Sequence, residues 1–278
     1  MNRESLVGSS QQTALDRVRG PQEARSPRRR ASPLRGAERA PRSNRGRVGV
    51  SWRRSALTSY RQSEGMDGLV SMQVSPVLAN DATGTIAEAE RLWKRIARPS
   101  VMIKTPGTEA GLPAITHGLA AGINVNVTLL FSVPPYRQVV EAFFAGLERR
   151  VGAGHPVIGL ASVASCFVSR VDGKVGCGSA AIANAAVAYR AVEELFERPR
   201  WESLAAKRAM VQRPIWASTS TKDPNLPDTY YVEALIAPLT VNPLPPANFA
   251  ADRDHGKPEI RSRASISGMS PMPSRSRS

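Results

Sequence analysis

Cysteine, histidine and long apolar runs are scarce in this chain, and each scarcity removes a class of protein. Two cysteines in 278 residues, Cys166 and Cys177, make no disulfide framework and fit a reducing, cytoplasmic compartment. The three histidines, His117, His155 and His255, are scattered at spacings that suit no zinc site, so no metal is expected. No apolar run approaches the roughly 18 residues of a membrane span, so no membrane association is expected. Lysine is absent from the first 62 residues, which instead carry 15 Arg and four acids, a balance of +11. Residues 251–278 carry +3, which leaves +1 for residues 63–250 out of the total of +15. The basicity belongs to the ends. A nucleic-acid function is therefore not expected of the middle, apart from nonspecific contact by a basic arm.

Those ends lack hydrophobic periodicity. "RSPRRRASPLRGAERAPRSNRGRVG" and "SGMSPMPSRSRS" are dense in Arg, Ser, Pro and Gly and cannot bury enough apolar surface to offset chain entropy. Residues 1–62 and 251–278 are therefore expected to be disordered tails around a folded 63–250. The Arg-rich stretch reads as a nucleic-acid arm, as an organelle presequence, or as a product of reading frame or start site, Met66 standing just before the first strand-like run.

From about residue 68, strand-like runs alternate with helix-like segments. "GLVSMQVSP", "VMIK", "INVNVTLLFS", a run within "VIGLASVASCFVSRV", "RPIWAST" and "TVNPLP" read as six strands. Amphipathic segments such as "TIAEAERLWKRIA" and "PYRQVVEAFFAGLERR" stand between them, the second with Val139, Val140, Phe143, Phe144 and Leu147 at three- and four-residue spacing. Strands joined by helical crossovers demand a parallel sheet, either doubly wound or closed as an eight-stranded barrel. "GCGSAA" (176–181) formally reads as a dinucleotide fingerprint. It lacks both the strand that should feed it and the acidic strand that should follow, so it is expected to be a glycine-rich loop before a helix.

Polar residues stand inside or just after these apolar strands: Gln73, Lys104, Asn126, Thr128, Ser165 and Ser218. Any one alone is more often a solvated strand end or a satisfied core polar group. Six on five segments or their ends resemble the mouth of a barrel active site, which lies at the C-terminal ends of the strands. Lys104 ends the run Val101–Met102–Ile103. A lysine amine is a nucleophile only when neutral, and burial lowers its pKa toward that state. Such an amine forms an imine with a carbonyl, and the imine accepts the electrons of a neighbouring carbon–carbon bond. Asn126, Thr128 and Ser165 suit the hydroxyls of a polyol, and Arg170, Ser218 and Lys222 suit a phosphate.

The segments "IKTPGTEAGLPAI", "GINVNVTLLFS", "ASVASCFVSRVD", "AAIANA", "RPIWASTSTKDP" and "TVNPLPP" resemble those of the transaldolases over roughly residues 66–248. The resemblance implies an α/β fold of the (β/α)8 TIM-barrel family, here truncated to about six strands. It implies transfer of a dihydroxyacetone unit from sedoheptulose 7-phosphate to glyceraldehyde 3-phosphate, giving erythrose 4-phosphate and fructose 6-phosphate in the non-oxidative pentose phosphate pathway, with no metal or organic cofactor. Carried over by motif, Lys104 matches the Schiff-base lysine. Asn126 and Thr128 match residues that bind the intermediate and hold a water. Ser165 matches a substrate contact and Phe167 an aromatic beside the sugar, while Arg170, Ser218 and Lys222 match phosphate contacts.

Two departures accompany the match. Gln73 stands where the family pattern has a proton-relaying glutamate, and an amide cannot take up a proton at neutral pH. The strands seen correspond to the family's third to eighth, and residues 1–62 show no counterpart of its first two. A degenerate relative that at most binds sugar phosphate is therefore the alternative. A fructose 6-phosphate aldolase is a third reading, set against the tyrosine those enzymes carry at the position of Phe167.

Overall fold

The computed structural model describes residues 50–175 and 179–259. Residues 1–49, 176–178 and 260–278 lie outside the described part, and with them most of the two tails and the start of the GCGSAA motif. Five strands form one sheet: β1 (Val70–Gln73), β2 (Val101–Pro106), β3 (Val125–Leu130), β4 (Ser162–Phe167) and β5 (Arg213–Ala217). They are parallel throughout and lie in chain order, β1-β2-β3-β4-β5. That order separates the two architectures left open by the sequence. A doubly wound sheet reverses direction at a switch point, whereas a barrel adds each strand beside the last. This sheet has the barrel's order.

The sixth expected strand, "TVNPLP", shortens to one parallel bridge between Val241 and Ile215. Val241 N donates to Pro214 O, and Trp216 N donates to Val241 O, both at 2.9 Å. Pro243 and Pro245 follow within four residues and have no N–H to continue the ladder.

The helices are α1 (Val50–Gln62), α2 (Ala82–Ile96), α3 (Leu112–Ala120), α4 (Val133–Gly152), α5 (Ser169–Val175), α6 (Ala180–Phe196), α7 (Pro199–Ala205), α8 (Tyr230–Ala234) and α9 (Pro246–His255). Their ends follow local chemistry. Asp81 caps α2, its carboxylate accepting from Gly84 N at 2.9 Å. Pro134 in the first turn of α4 occupies a position whose N–H has no intrahelical acceptor. The apolar face read from the α4 sequence is buried as spaced: Val139, Val140, Phe143, Phe144 and Leu147 join Val125, Val127, Cys166 and Trp216 in the main core between sheet and helices. Alternation along the strands sends Met102, Val163 and Ile215 to the opposite face. There they form a second, smaller core with Leu69, Ala161 and Val241.

Two helices occupy stretches expected to be tail. α1 lies inside residues 1–62, and its Tyr60 packs against the smaller core. Gly68, at φ 70°, makes the contact possible, because a Cβ there would sit 2.1 Å from Ala56 O and 2.5 Å from Tyr60 N. α9 runs past residue 250 to His255. Polar and charged residues outnumber apolar ones in both helices, which is why composition alone reads both as tail.

Candidate active site

The site is assembled by register. Gln73 pairs with Lys104 and Lys104 with Asn126, so three strands present these side chains in one row on the face away from the main core. Thr128, paired with Pro106, follows two residues along on the same face. At this point the β3–β4 ladder slips between Val127 and Leu130, and Leu129 takes a positive φ of 69°. A bulge of this kind re-aims the strand end, and Thr128 is left buried beside it.

Asn126 is the polar node of the face. Its Nδ2 donates to Ser71 Oγ at 2.8 Å, and its Oδ1 accepts from Ser165 Oγ at 2.9 Å. The side chain is 2% exposed and Ser165 1%. A line of polar groups thus crosses from β1 through β3 to β4 inside an apolar surround, each member bonded to the next. Ser71 was not singled out from sequence, although it lies two residues before Gln73 and so shares its face.

Lys104 is half-buried on the strand between β1 and β3, in register with Asn126 of this line. Burial pushes its pKa down, and the guanidinium of Arg170 adds to the effect. Both act on the charged form and favour the neutral, nucleophilic amine. Arg170 projects from the first turn of α5, a helix absent from the sequence reading, and lies 4.7 Å from the centre of the Phe167 ring. Phe131, at the end of β3, stacks on Phe167 with ring centres 5.0 Å apart and planes 15° apart. Asn184 of α6 donates to the Phe131 carbonyl at 3.0 Å. Phe131 also escaped the sequence reading; the signal was a large aromatic just past the end of a buried strand, and it remains 42% exposed.

Ser218 follows β5 directly, and its carbonyl accepts from Ser169 N at 3.0 Å, which brings the ends of β4 and β5 together. Lys222 is exposed in the loop beyond and makes no hydrogen bond or ion pair among the described residues. The structure thus gathers Gln73, Lys104, Asn126, Thr128 and Ser165 on one face of the sheet, brings Phe167, Arg170 and Ser218 to the C-terminal ends of β4 and β5, and puts Lys222 in the exposed loop that follows Ser218. A separate groove of about 540 Å³ lies at the other end of the strands, lined by Gln62, Met66, Ile158, Arg208 and Met210 among others. Barrel chemistry does not occupy that end, and none of the site residues reaches the groove. Among the described residues no group of His, Cys, Asp and Glu is arranged to hold a metal ion, and no helix is long and apolar enough to cross a membrane.

Comparison with known proteins gives the family. The family model described as Transaldolase/Fructose-6-phosphate aldolase matches residues 46–273. The transaldolase of Acidothermus cellulolyticus is 55% identical over 210 residues, covering 71% of this chain and 56% of that protein. The transaldolase of Frankia alni is 53% identical over 212 residues, covering 71% and 57%. That of Thermobifida fusca is 49% identical over 222 residues, covering 74% and 60%. The chain therefore spans between 56% and 60% of the length of these relatives. With more than half of its residues matched by one family model and half of the aligned positions identical, the chain belongs to the transaldolase/fructose-6-phosphate aldolase family.

Proposed function

We propose that this chain carries transaldolase chemistry: Lys104 forms a Schiff base and moves a dihydroxyacetone unit from sedoheptulose 7-phosphate to glyceraldehyde 3-phosphate. The observation that carries the reading is the row Gln73–Lys104–Asn126, which sets one amine of depressed pKa among polar partners on the face away from the main core. The neutral amine attacks C2 of the ketose, and loss of water gives the iminium. The C3–C4 bond then breaks, its electron pair moving into the iminium to give an enamine as the C4 hydroxyl loses its proton and erythrose 4-phosphate leaves. The enamine carbon attacks the aldehyde of glyceraldehyde 3-phosphate, whose oxygen takes up a proton. Hydrolysis of the new imine releases fructose 6-phosphate and restores Lys104. The iminium is itself the electron sink, so the scheme calls on no metal or organic cofactor.

In this scheme Asn126, Thr128 and Ser165 hold the sugar hydroxyls and the water exchanged with the imine. Phe167 lies along the sugar, and Arg170, Ser218 and Lys222 take the phosphate. The reaction belongs to the non-oxidative pentose phosphate pathway and the cytoplasm, where its four dianionic sugar phosphates are retained.

Gln73 favours a second reading. In register with Lys104, it stands where a proton relay through water is required, and its amide can orient that water but not accept its proton. In this reading the chain binds sugar phosphate and forms the imine while turnover stalls. Incubation with fructose 6-phosphate and borohydride, followed by peptide mass spectrometry, tests the first step. A reduced adduct on Lys104 is the expected result. Its absence at saturating sugar phosphate would sink the covalent mechanism, and an adduct without turnover would favour the second reading.

A further inference from the structure

Ser218 holds a left-handed backbone, φ 58°, a conformation that a residue with a side chain keeps only where its surroundings enforce it. One restraint is the Ser169 N to Ser218 O bond, which ties it to the residue before Arg170. The other restraints come from the chain beyond Val241. Thr219 Oγ1 donates to Asn242 Oδ1 at 2.7 Å, and Thr219 is 1% exposed. Ser220 Oγ donates to Asn248 Oδ1 at 2.9 Å, while Asn248 Nδ2 donates to Asp228 O at 3.1 Å. Asn248 sits in the first turn of α9, and the far end of that helix is held to the same loop by His255 Nε2 and Asp228 Oδ1, 2.9 Å apart. Residues 218–228 are therefore clamped at both ends by two asparagines and a helix that follow the last strand pairing.

Phosphate sites in barrels of this kind form from the loops after the last two strand positions. Here those positions are β5 and the Val241 bridge, and the clamp joins the two loops. We propose that Asn242 and Asn248 are positioning residues for the phosphate monoester of the substrate. Acting through Thr219 and Ser220, they hold Ser218 in its left-handed turn beside Arg170. Neither asparagine is required to touch the ligand. The inference rests on the reading of Ser218 and Arg170 as phosphate contacts, and it adds the device that keeps them in place.

The test uses the full chain and three variants. Thr219→Val removes the donor to Asn242 with little change of shape, Thr219→Ser keeps it, and Asn248→Ala frees Ser220 Oγ and the Asp228 carbonyl. Affinity for inorganic phosphate is read by titration calorimetry, and adduct formation on Lys104 is read with fructose 6-phosphate and with unphosphorylated fructose. Thermal melts of the same samples report folding. Loss of one such restraint is expected to weaken phosphate and fructose 6-phosphate binding roughly five- to tenfold. Thr219→Ser should restore both, and trapping with fructose should stay unchanged throughout. Folded Thr219→Val and Asn248→Ala proteins with wild-type phosphate affinity would overturn the proposal. Equal loss with fructose and fructose 6-phosphate, or no phosphate binding by the wild-type chain, would overturn it too. Should Thr219→Val fail to fold, the half-buried Asn248 carries the comparison. A wild-type chain that yields no sugar adduct but loses phosphate affinity on Thr219→Val would sink the covalent reading and leave the clamp standing.

Discussion

Replacing Asn126 by alanine removes the node that joins three strands on the face that carries Lys104. Two hydrogen bonds disappear, of 2.8 Å to Ser71 and 2.9 Å from Ser165. Each contributes about 1 kcal/mol net, and the hydroxyl of Ser165, left buried without its acceptor, adds about 1 kcal/mol more. The expected cost is about 3 kcal/mol. For a chain of this size that lowers the melting temperature by about 6–12 °C, and it moves the urea midpoint by about 1.5 M at a slope near 2 kcal/mol/M. Circular dichroism during urea titration measures it directly. The companion experiment is Ser165→Ala, alone and combined with Asn126→Ala. Because the two residues share one bond, the double variant should lose less than the sum of the singles by about 1–2 kcal/mol. A cost below about 1 kcal/mol for Asn126→Ala, or strict additivity in the cycle, would refute the claim that this polar line is closed and buried.

Three further outcomes concern the reaction. Lys104→Met should abolish borohydride trapping while the protein melts at or above the wild-type temperature. The lysine pKa lies below its ordinary value of 10.5 in the folded chain, so its charge opposes folding below the folded pKa, and that penalty fades as pH rises toward the unfolded value. The melting difference should accordingly narrow in alkaline buffer, and a clear loss of stability in the variant at pH 7 would contradict the assignment. Gln73→Glu should raise turnover by about 10²–10⁴-fold if a missing proton relay is what limits the chain. Unchanged turnover in a coupled assay would place the deficit elsewhere. Arg170→Gln removes a cation that lowers the Lys104 pKa, so the rising limb of trapping against pH should move to higher pH. Half-saturation by fructose 6-phosphate should rise at least tenfold with the loss of a charged hydrogen-bond donor; a pH profile that overlays the wild type would show that Arg170 does not act on Lys104.

Much of the site was legible before any coordinates, for a reason visible in the strands. Lys104, Asn126, Thr128 and Ser165 interrupt runs of Val, Ile and Leu, and a polar group inside a buried strand costs free energy unless it is partnered or used. What stayed hidden were residues whose role depends on a neighbour distant in sequence. Phe131 reads as one more apolar residue until it stacks on Phe167. Asn242 reads as one polar residue of a short last strand and Asn248 as a polar residue past its end, until Thr219 and Ser220 meet them. α1 and α9 were hidden because both are short and rich in polar residues, and the contacts that hold them, Tyr60 against the smaller core and His255 against Asp228, are with residues distant in sequence.

Period-two and period-3.6 patterning is a local property, so the order of residues along the chain was enough to set the alternation of strands and helices, the buried stripe of α4 and the lysine that breaks the apolar run of β2. Strand order, the slip in register at Thr128, the left-handed turn at Ser218 and the reach of Arg170 toward Lys104 are non-local. Each depends on which backbone hydrogen bonds close between segments tens of residues apart, so none of them exists until the chain has folded.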